Sequence, residues 1–311
     1  MNTTASLPIT HHPDYVASLP DGHRFPMAKF GRLRDVLVAD GLIAADGFWV
    51  PEPAPIAWLE LAHEPAYVAG VIDGTLSREA VRRIGLPVTD RVARRSRLAT
   101  GGTILAARLA LSGGIACNTA GGSHHAASGH GAGFSVFNDV AVASRVLLEE
   151  GAVGRVLVID LDVHQGDGTA EIFLDDSRVF TFSVHGENNF PVRKQKSDLD
   201  LGLPDGTDDA AYLAVLEEHV PALIDYVRPD IVFYNAGVDP HAEDRLGRLS
   251  LSDEGLAARD RLIIDAAWQR SIPLVGVIGG GYSSDIDALA RRHAILHHTA
   301  TARLAPGAGG D

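Results

Sequence analysis

The chain of 311 residues is 46% hydrophobic and 22% charged, which excludes a disordered protein and allows a large buried core. Its 27 basic and 40 acidic residues give a net charge of −13, which disfavours nucleic acid and anionic membranes as partners and would attract a cationic substrate at long range. The lone cysteine, Cys117, excludes an intramolecular disulfide and a Cys-rich zinc site. Because no apolar run is long enough to span a bilayer and the N-terminus does not resemble a secretory signal, we expect a cytoplasmic protein.

The predicted elements alternate between strands and helices along the chain. Helical patterns come first, at 27–40 and 96–111, and a weak strand follows at 114–118. Short β-branched apolar runs then predict buried parallel strands, at 155–160, 179–184, 230–235 and 273–278. Helical patterns occupy 209–227 and 252–270. This order predicts an α/β fold with an open, mainly parallel β-sheet flanked by helices on both faces.

No repeat, low-complexity tract or long linker divides the chain. We therefore expect one domain over 1–311, with its core at about 10–300 and a frayed tail at 305–311.

Polar residues follow the predicted strands, where ligands of open α/β sheets gather. Asp160, Asp162 and His164 alternate with apolar residues, so a strand would turn all three to one side. Burying two carboxylates and an imidazole is costly unless they bind a cation. With Asp239 from a later strand end, Asp162 and His164 would form a mononuclear site for Zn²⁺, or for Fe²⁺, Co²⁺ or Mn²⁺. The alternative is that the carboxylates cap helices and the histidine is structural.

Two further motifs suit hydrolysis at such a metal. The pair His124 and His125 has glycines before it and would supply a proton acceptor and donor, with Asp160 and Asp167 orienting the imidazoles. Tyr282 follows three glycines, which let the backbone approach the site, and its phenol could donate to a developing oxyanion.

Taken together, these motifs resemble those of the histone deacetylase family, within the arginase/deacetylase superfamily. The resemblance spans roughly residues 10–300 and is closest to the class IV-like branch that occurs in bacteria as well as eukaryotes. Its strings are Gly121-Gly122-Ser123-His124-His125, Gly133-Phe134-Ser135-Val136-Phe137-Asn138-Asp139, Asp160 through Thr169, Ala236-Gly237-Val238-Asp239 and Gly279-Gly280-Gly281-Tyr282. Ser135 departs from the cysteine that is common in the family.

The resemblance implies a role for each matching residue of the catalytic centre. Asp162, His164 and Asp239 would ligate zinc. His125 would be the general base and acid, and His124 its electrostatic partner; Asp160 and Asp167 would orient them. Tyr282 would polarise the amide carbonyl and hold the oxyanion while metal-activated water attacks an acylated lysine.

The resemblance also implies a substrate tunnel and a second cation. Phe134, Phe190 and Leu246 would line the tunnel, with Gly133 and Gly280 among the substrate-binding residues. A structural K⁺ would be held around five residues of two strand ends: Asp160, Asp162, His164, Ser183 and Val184.

Other interpretations remain open at this stage. An arginase-like binuclear hydrolase would need extra carboxylates, and Gly166 and His241 stand where such ligands would be sought. The substrate could be an acetylpolyamine or another small acylated amine, or carry a fatty acyl group. A catalytically idle acyl-lysine binding protein is the alternative outside enzymes.

Overall fold

A computed structural model of the protein describes residues 6–305, which are built around one sheet of seven strands. The strand order is β1-β2-β7-β6-β3-β4-β5, and every neighbouring pair is parallel. The strands are Ile9–Thr10 (β1), Ile115–Asn118 (β2), Val156–Asp160 (β3), Val179–Gly186 (β4), Leu199–Leu203 (β5), Ile231–Asn235 (β6) and Leu274–Val277 (β7). β2, β3, β6 and β7 are buried along their whole length, as expected for a parallel sheet covered on both faces.

Helices flank this sheet, so the predicted fold class is confirmed. They are Lys29–Ala39 (α1), Ile56–Leu59 (α2), Pro65–Ile72 (α3), Arg78–Ile84 (α4), Asp90–Gly113 (α5), Asp139–Glu149 (α6), Asp167–Phe173 (α7), Asp209–Val227 (α8), Asp253–Trp268 (α9) and Ile286–Leu304 (α10). Helices α5 and α6 pack together, while α10 packs against α1 and α9. None of the helices within residues 6–305 is long and apolar enough to cross a membrane.

The predicted helices and strands are present, but the prediction missed several helices, including α6, as well as the two edge strands and the start of α5. Helix α5 begins six residues before its predicted start, because the Thr89 side chain accepts a hydrogen bond from the Val92 amide and starts the helix there. Edge strand β5 is half-exposed and too short for a clear pattern, and β1 has only two residues. The long helix α10 was also missed. From residue 306 onward, the predicted frayed tail lies outside the residues that the structure describes. The single domain over 1–311 stays a prediction.

Candidate active site

The predicted site residues meet at the carboxyl edge of the sheet. β3 ends at Asp160 and is paired there with Asn235, the last residue of β6. The strand-like alternation predicted through His164 is wrong, because Asp162 and His164 lie in a bend that leads from β3 into α7. Their convergence comes from that bend and from the adjacent loop after β6, which brings Asp239 against them.

Asp162, His164 and Asp239 form a buried cluster whose ligand-type atoms all lie within 4.8 Å of one another. His164 Nδ1 lies 3.0 Å from Asp162 Oδ1 and 3.1 Å from Asp239 Oδ2. The second oxygen of each carboxylate accepts a main-chain hydrogen bond, from Gly280 at 2.7 Å and from Val163 at 2.9 Å. The loop backbone therefore fixes both carboxylates while one oxygen of each faces the imidazole.

The charges of this cluster depend strongly on one another. Burial raises the pKa of Asp239 above its usual range, and the neighbouring Asp162 carboxylate adds to the shift. Burial alone would lower the pKa of His164, but its hydrogen bonds to Asp162 and Asp239 raise that pKa to about 10. A positive charge between the Asp162 and Asp239 carboxylates is therefore stabilising, and a proton on His164 or a bound cation can supply it. No second group of three candidate ligands occurs within residues 6–305.

His124 and His125 lie beside the cluster with their ring centroids 4.1 Å apart. His124 Nδ1 is 2.7 Å from Asp160 Oδ2, and His125 Nδ1 is 2.5 Å from Asp167 Oδ1. Each of the two carboxylates predicted to orient the imidazoles therefore contacts one of the two rings. In each ring, an Nδ1–H donor to the carboxylate leaves Nε2 as the other functional nitrogen.

The two histidines carry different charges. Burial opposes charge on His124, but Asp160 and Asp162 outweigh it and raise its pKa to about 9. Burial lowers the pKa of His125 to about 4, and repulsion from His124 contributes to the decrease. At neutral pH, His125 is thus a neutral imidazole that can accept a proton, next to a cationic His124.

Tyr282 lies across the site with its ring held on several sides. Its ring centroid is 5.8 Å from that of Phe134 and 6.2 Å from that of His164. The Lys29 ammonium, 5.8 Å from the Tyr282 centroid, donates to the Gly279 carbonyl at 3.1 Å. Asp244 accepts a hydrogen bond from the Tyr282 amide at 2.6 Å. The Tyr282 ring is therefore held beside His164 by the packing of neighbouring side chains. Hydrogen bonds to its own loop hold the backbone.

A cavity of about 400 Å³ opens from the site to the surface. His125, His164 and Tyr282 line it together with the predicted tunnel residues Phe134, Phe190 and Leu246 and the predicted substrate-binding residue Gly133. Gly133 has a φ of 52°, and a Cβ there would collide with the His125 ring, so only glycine leaves the imidazole room. Gly280 does not line this cavity; it borders a separate inner cavity of about 30 Å³ beyond Tyr282.

Four supporting residues escaped the sequence-based site prediction. Asp139 accepts hydrogen bonds from the amides of Gly122 and Ser123, and Asn235 donates to Asp160 at 2.9 Å. Lys29 and Asp244 support the Tyr282 loop. Asp139 stands inside a motif recognised in the sequence, so a search for backbone-capping carboxylates there could have found it. Lys29 carries no local signal, because it acts across the fold.

Only two of the residues predicted to hold a monovalent cation share a cavity. Ser183 and Asp160 are paired across β3 and β4 and line a small cavity of about 10 Å³, whereas Val184, Asp162 and His164 do not line it. The Ser183 hydroxyl is 2.9 Å from His185 Nδ1. His241, considered for a second catalytic metal, instead lies 3.3 Å from Asp253.

Comparison with known proteins identifies the family. The histone deacetylase domain profile matches residues 23–299, so the chain belongs to the histone deacetylase family. It is 32% identical over 273 residues to Histone deacetylase 2 of Arabidopsis thaliana, covering 84% of this chain and 70% of that protein. Family membership supports deacetylase activity in general.

Bacterial relatives and a solved structure agree with this assignment. The chain is 52% identical over 293 residues to an uncharacterized protein of Picosynechococcus, covering 94% of this chain and 98% of that one. It is 29% identical to the acetoin utilization protein AcuC of Staphylococcus aureus, covering 85% and 73% of the two chains. The HDA15 HD domain crystal structure superposes with a TM-score of 0.77 over 96% of this chain and 90% of that chain at 21% identity, which shows a shared fold.

Proposed function

We propose that this protein is a metal-dependent amidohydrolase that removes a short acyl group from lysine side chains. The observation that carries the proposal is the buried cluster of Asp162, His164 and Asp239, of which His164 lines an open cavity together with His125 and Tyr282. This arrangement supplies a cation site, a proton acceptor and an oxyanion donor around one point.

The donor set fits a divalent metal. One imidazole nitrogen and two carboxylate oxygens suit Zn²⁺, and also Fe²⁺, Co²⁺ or Mn²⁺. Main-chain hydrogen bonds from Gly280 and Val163 fix the orientation of the Asp162 and Asp239 carboxylates. Metal ligands in proteins are commonly oriented by hydrogen bonds of this kind. When bound, the ion would supply Lewis acidity to the acyl carbonyl and to the attacking water.

The remaining chemistry belongs to side chains of this chain. Neutral His125, held through Nδ1 by Asp167, takes a proton from water at Nε2 and later delivers it to the departing amine. Cationic His124, held by Asp160, favours the negative charge that develops on the acyl oxygen as water attacks the carbonyl carbon. The Tyr282 hydroxyl donates to the oxyanion.

The cavities favour an acetyl group on a long amine. The outer cavity of about 400 Å³ is walled by Phe134, Phe190 and Leu246, which suits the apolar stem of a lysine. The inner cavity of about 30 Å³ has room for one or two water-sized groups, which suits an acetyl group better than a longer chain such as octanoyl. A small acylated amine is the second candidate, since the outer cavity would also admit one.

A structural K⁺ is part of the same proposal. Its support is the cavity of about 10 Å³ beside Asp160 and Ser183, which is about the volume that one small occupant requires. The buried Asp160 carboxylate supplies the compensating charge.

The test is hydrolysis of one lysine peptide carrying acetyl, octanoyl or myristoyl, beside an acetylpolyamine, before and after chelation. We expect chelator-sensitive turnover that metal restores, fastest on the acetyl peptide. Asp239→Asn should lose metal and activity, whereas Asp175→Asn, which removes an exposed carboxylate without a side-chain hydrogen bond among the described residues, should keep both. A metal-replete protein that turns over none of these substrates would refute the proposal and favour an acyl-lysine binding protein.

A further inference from the structure

The mouth of the outer cavity carries a charge opposite to that of the whole protein. Four arginines line the cavity, and none of its lining residues is Asp or Glu. The chain as a whole has 40 acidic and 27 basic residues, so a surface of average composition would carry more carboxylates than guanidinium groups. We call Arg24, Arg82, Arg83 and Arg248 the arginine rim.

The arginine rim is assembled from three separate segments. Arg82 and Arg83 lie in the last turn of α4, Arg24 belongs to the loop before α1, and Arg248 follows the tunnel residue Leu246. A helix C-terminus favours basic residues by itself, but that effect does not reach the two loop arginines. Their common position at the mouth therefore calls for another explanation.

The segments that carry the rim are fixed to the tunnel wall. His23 Nε2 lies 3.0 Å from the Gly85 carbonyl, which joins the loop of Arg24 to the end of α4. The Phe134 amide donates to the Ile84 carbonyl at 2.7 Å, and Asn189 donates to the Leu246 carbonyl at 2.8 Å. The rim is thus positioned by the same contacts that shape the tunnel.

Most of the positive charge at the rim is free to meet a ligand. Arg24, Arg82 and Arg83 are exposed and form no ion pair with any residue in the described range 6–305. Arg248 alone is paired, with Asp205 at 3.1 Å. Three uncompensated guanidinium groups, contributed by two adjoining segments, therefore face whatever projects from the tunnel.

We propose that the substrate is an acyl-lysine within an acidic peptide segment, an inference that rests on the proposed deacylase function. With the lysine stem in the tunnel, neighbouring residues of the peptide lie at the mouth, where guanidinium groups bind Asp and Glu carboxylates with matching geometry. The same charges repel an acetylpolyamine, whose free amines are cationic. The rim opposes the long-range attraction of cations expected from the net charge, because near the mouth the closest charges dominate and distant ones are screened.

The first experiment measures kcat/KM at low and high salt on three acetyl-lysine pentapeptides flanked by Asp and Glu, by Asn and Gln, or by Arg. We expect the acidic peptide to exceed the neutral one about three- to tenfold at low salt, and the basic one to be slowest. The difference should shrink as salt screens the rim. Equal rates on the acidic and neutral peptides, or a faster reaction with the basic peptide, would overturn the proposal.

The second experiment assigns the preference to the rim. Arg82→Gln/Arg83→Gln should lower the acidic-to-neutral rate ratio about threefold or more, whereas Arg261→Gln/Arg291→Gln, which removes equal charge from exposed faces of α9 and α10, should keep it. An equal ratio in the two variants would refute a role for the rim. Fluorescence anisotropy of the same labelled peptides measures binding directly, so the rim is tested even if none of the three peptides is hydrolysed, a result that would contradict the proposed function instead.

Discussion

Gly280→Ala is the sharpest perturbation of the candidate metal cluster, since it adds one methyl group beside both carboxylates. A Cβ at this position would overlap the Asp239 carboxylate and lie 2.6 Å from Asp162 Oδ2. The Gly280 amide also donates to Asp162 Oδ2 at 2.7 Å, so relief of the clash must move either the loop or two of the three proposed ligands.

The expected loss follows from these contacts. Inserting a methyl group into a closely packed site costs about 1–3 kcal/mol. A disturbed hydrogen bond to a charged carboxylate costs about 1.5–3 kcal/mol. Because both effects act on ligands of the bound state, we expect metal affinity to fall by about 100-fold, which corresponds to about 2.7 kcal/mol.

The assay is competition between the protein and a fluorescent zinc chelator, with urea denaturation of the metal-free protein run in parallel. Gly113→Ala is the matched control, because its Cβ would meet nothing within 4 Å at the exposed end of α5, and its affinity should equal that of the unmodified protein. If Gly280→Ala kept a zinc Kd within threefold of the unmodified protein, the assignment of Asp162 and Asp239 as ligands would be refuted.

Three further predictions concern catalysis, a buried ion pair and pH. Tyr282→Phe should retain metal but lose about 10²–10³ in kcat, because one oxyanion donor is removed. Arg259→Met should lower the free energy of unfolding by about 3–5 kcal/mol in urea, because it leaves the buried Asp260 without the guanidinium 2.8 Å away. Asp176→Asn should cost about 1–2 kcal/mol at pH 7, because its hydrogen bonds to Arg178 hold the Asp176 pKa at about 2.

Each of these predictions has a result that contradicts it. A kcat within threefold after Tyr282→Phe would remove the phenol from the mechanism. For the ion pair, Arg259→Met/Asp260→Asn should recover part of the lost stability, and no recovery would show that the charge left unpaired is not the cause. The lowered pKa of Asp176 stabilises the folded protein fully above pH 3.8, which is the pKa of this carboxyl in the unfolded chain. That stabilisation is lost as the pH falls toward 2. The stability gap between Asp176→Asn and the unmodified protein should therefore narrow below pH 4, and a constant gap would contradict the assignment.

The amino-acid sequence alone was sufficient to predict the fold class. It was also sufficient to predict that the main site residues lie at one edge of the sheet. Buried strands such as Val156–Asp160 and Ile231–Asn235 can be predicted from their local apolar composition. In a parallel sheet the carboxyl ends of such strands lie at one edge, independently of the loops that connect them. Asp160 and Asp239 could therefore be assigned to one site from their places after these strands. The bend at Asp162 and His164 was not predicted, because an alternating pattern does not reveal where strand hydrogen bonding stops.

Tertiary structure alone decided the contacts that tune the site and that bring the arginine rim together. Lys29 reaches the Gly279 carbonyl across 250 residues of chain, and the arginine rim gathers three segments that share no motif. Such contacts depend on how helices and loops pack over the sheet, and no local period encodes that packing. Likewise, the opposite pKa shifts of the neighbours His124 and His125 arise only in the folded chain: burial and the nearby His124 lower the pKa of His125, whereas Asp160 and Asp162 outweigh burial at His124.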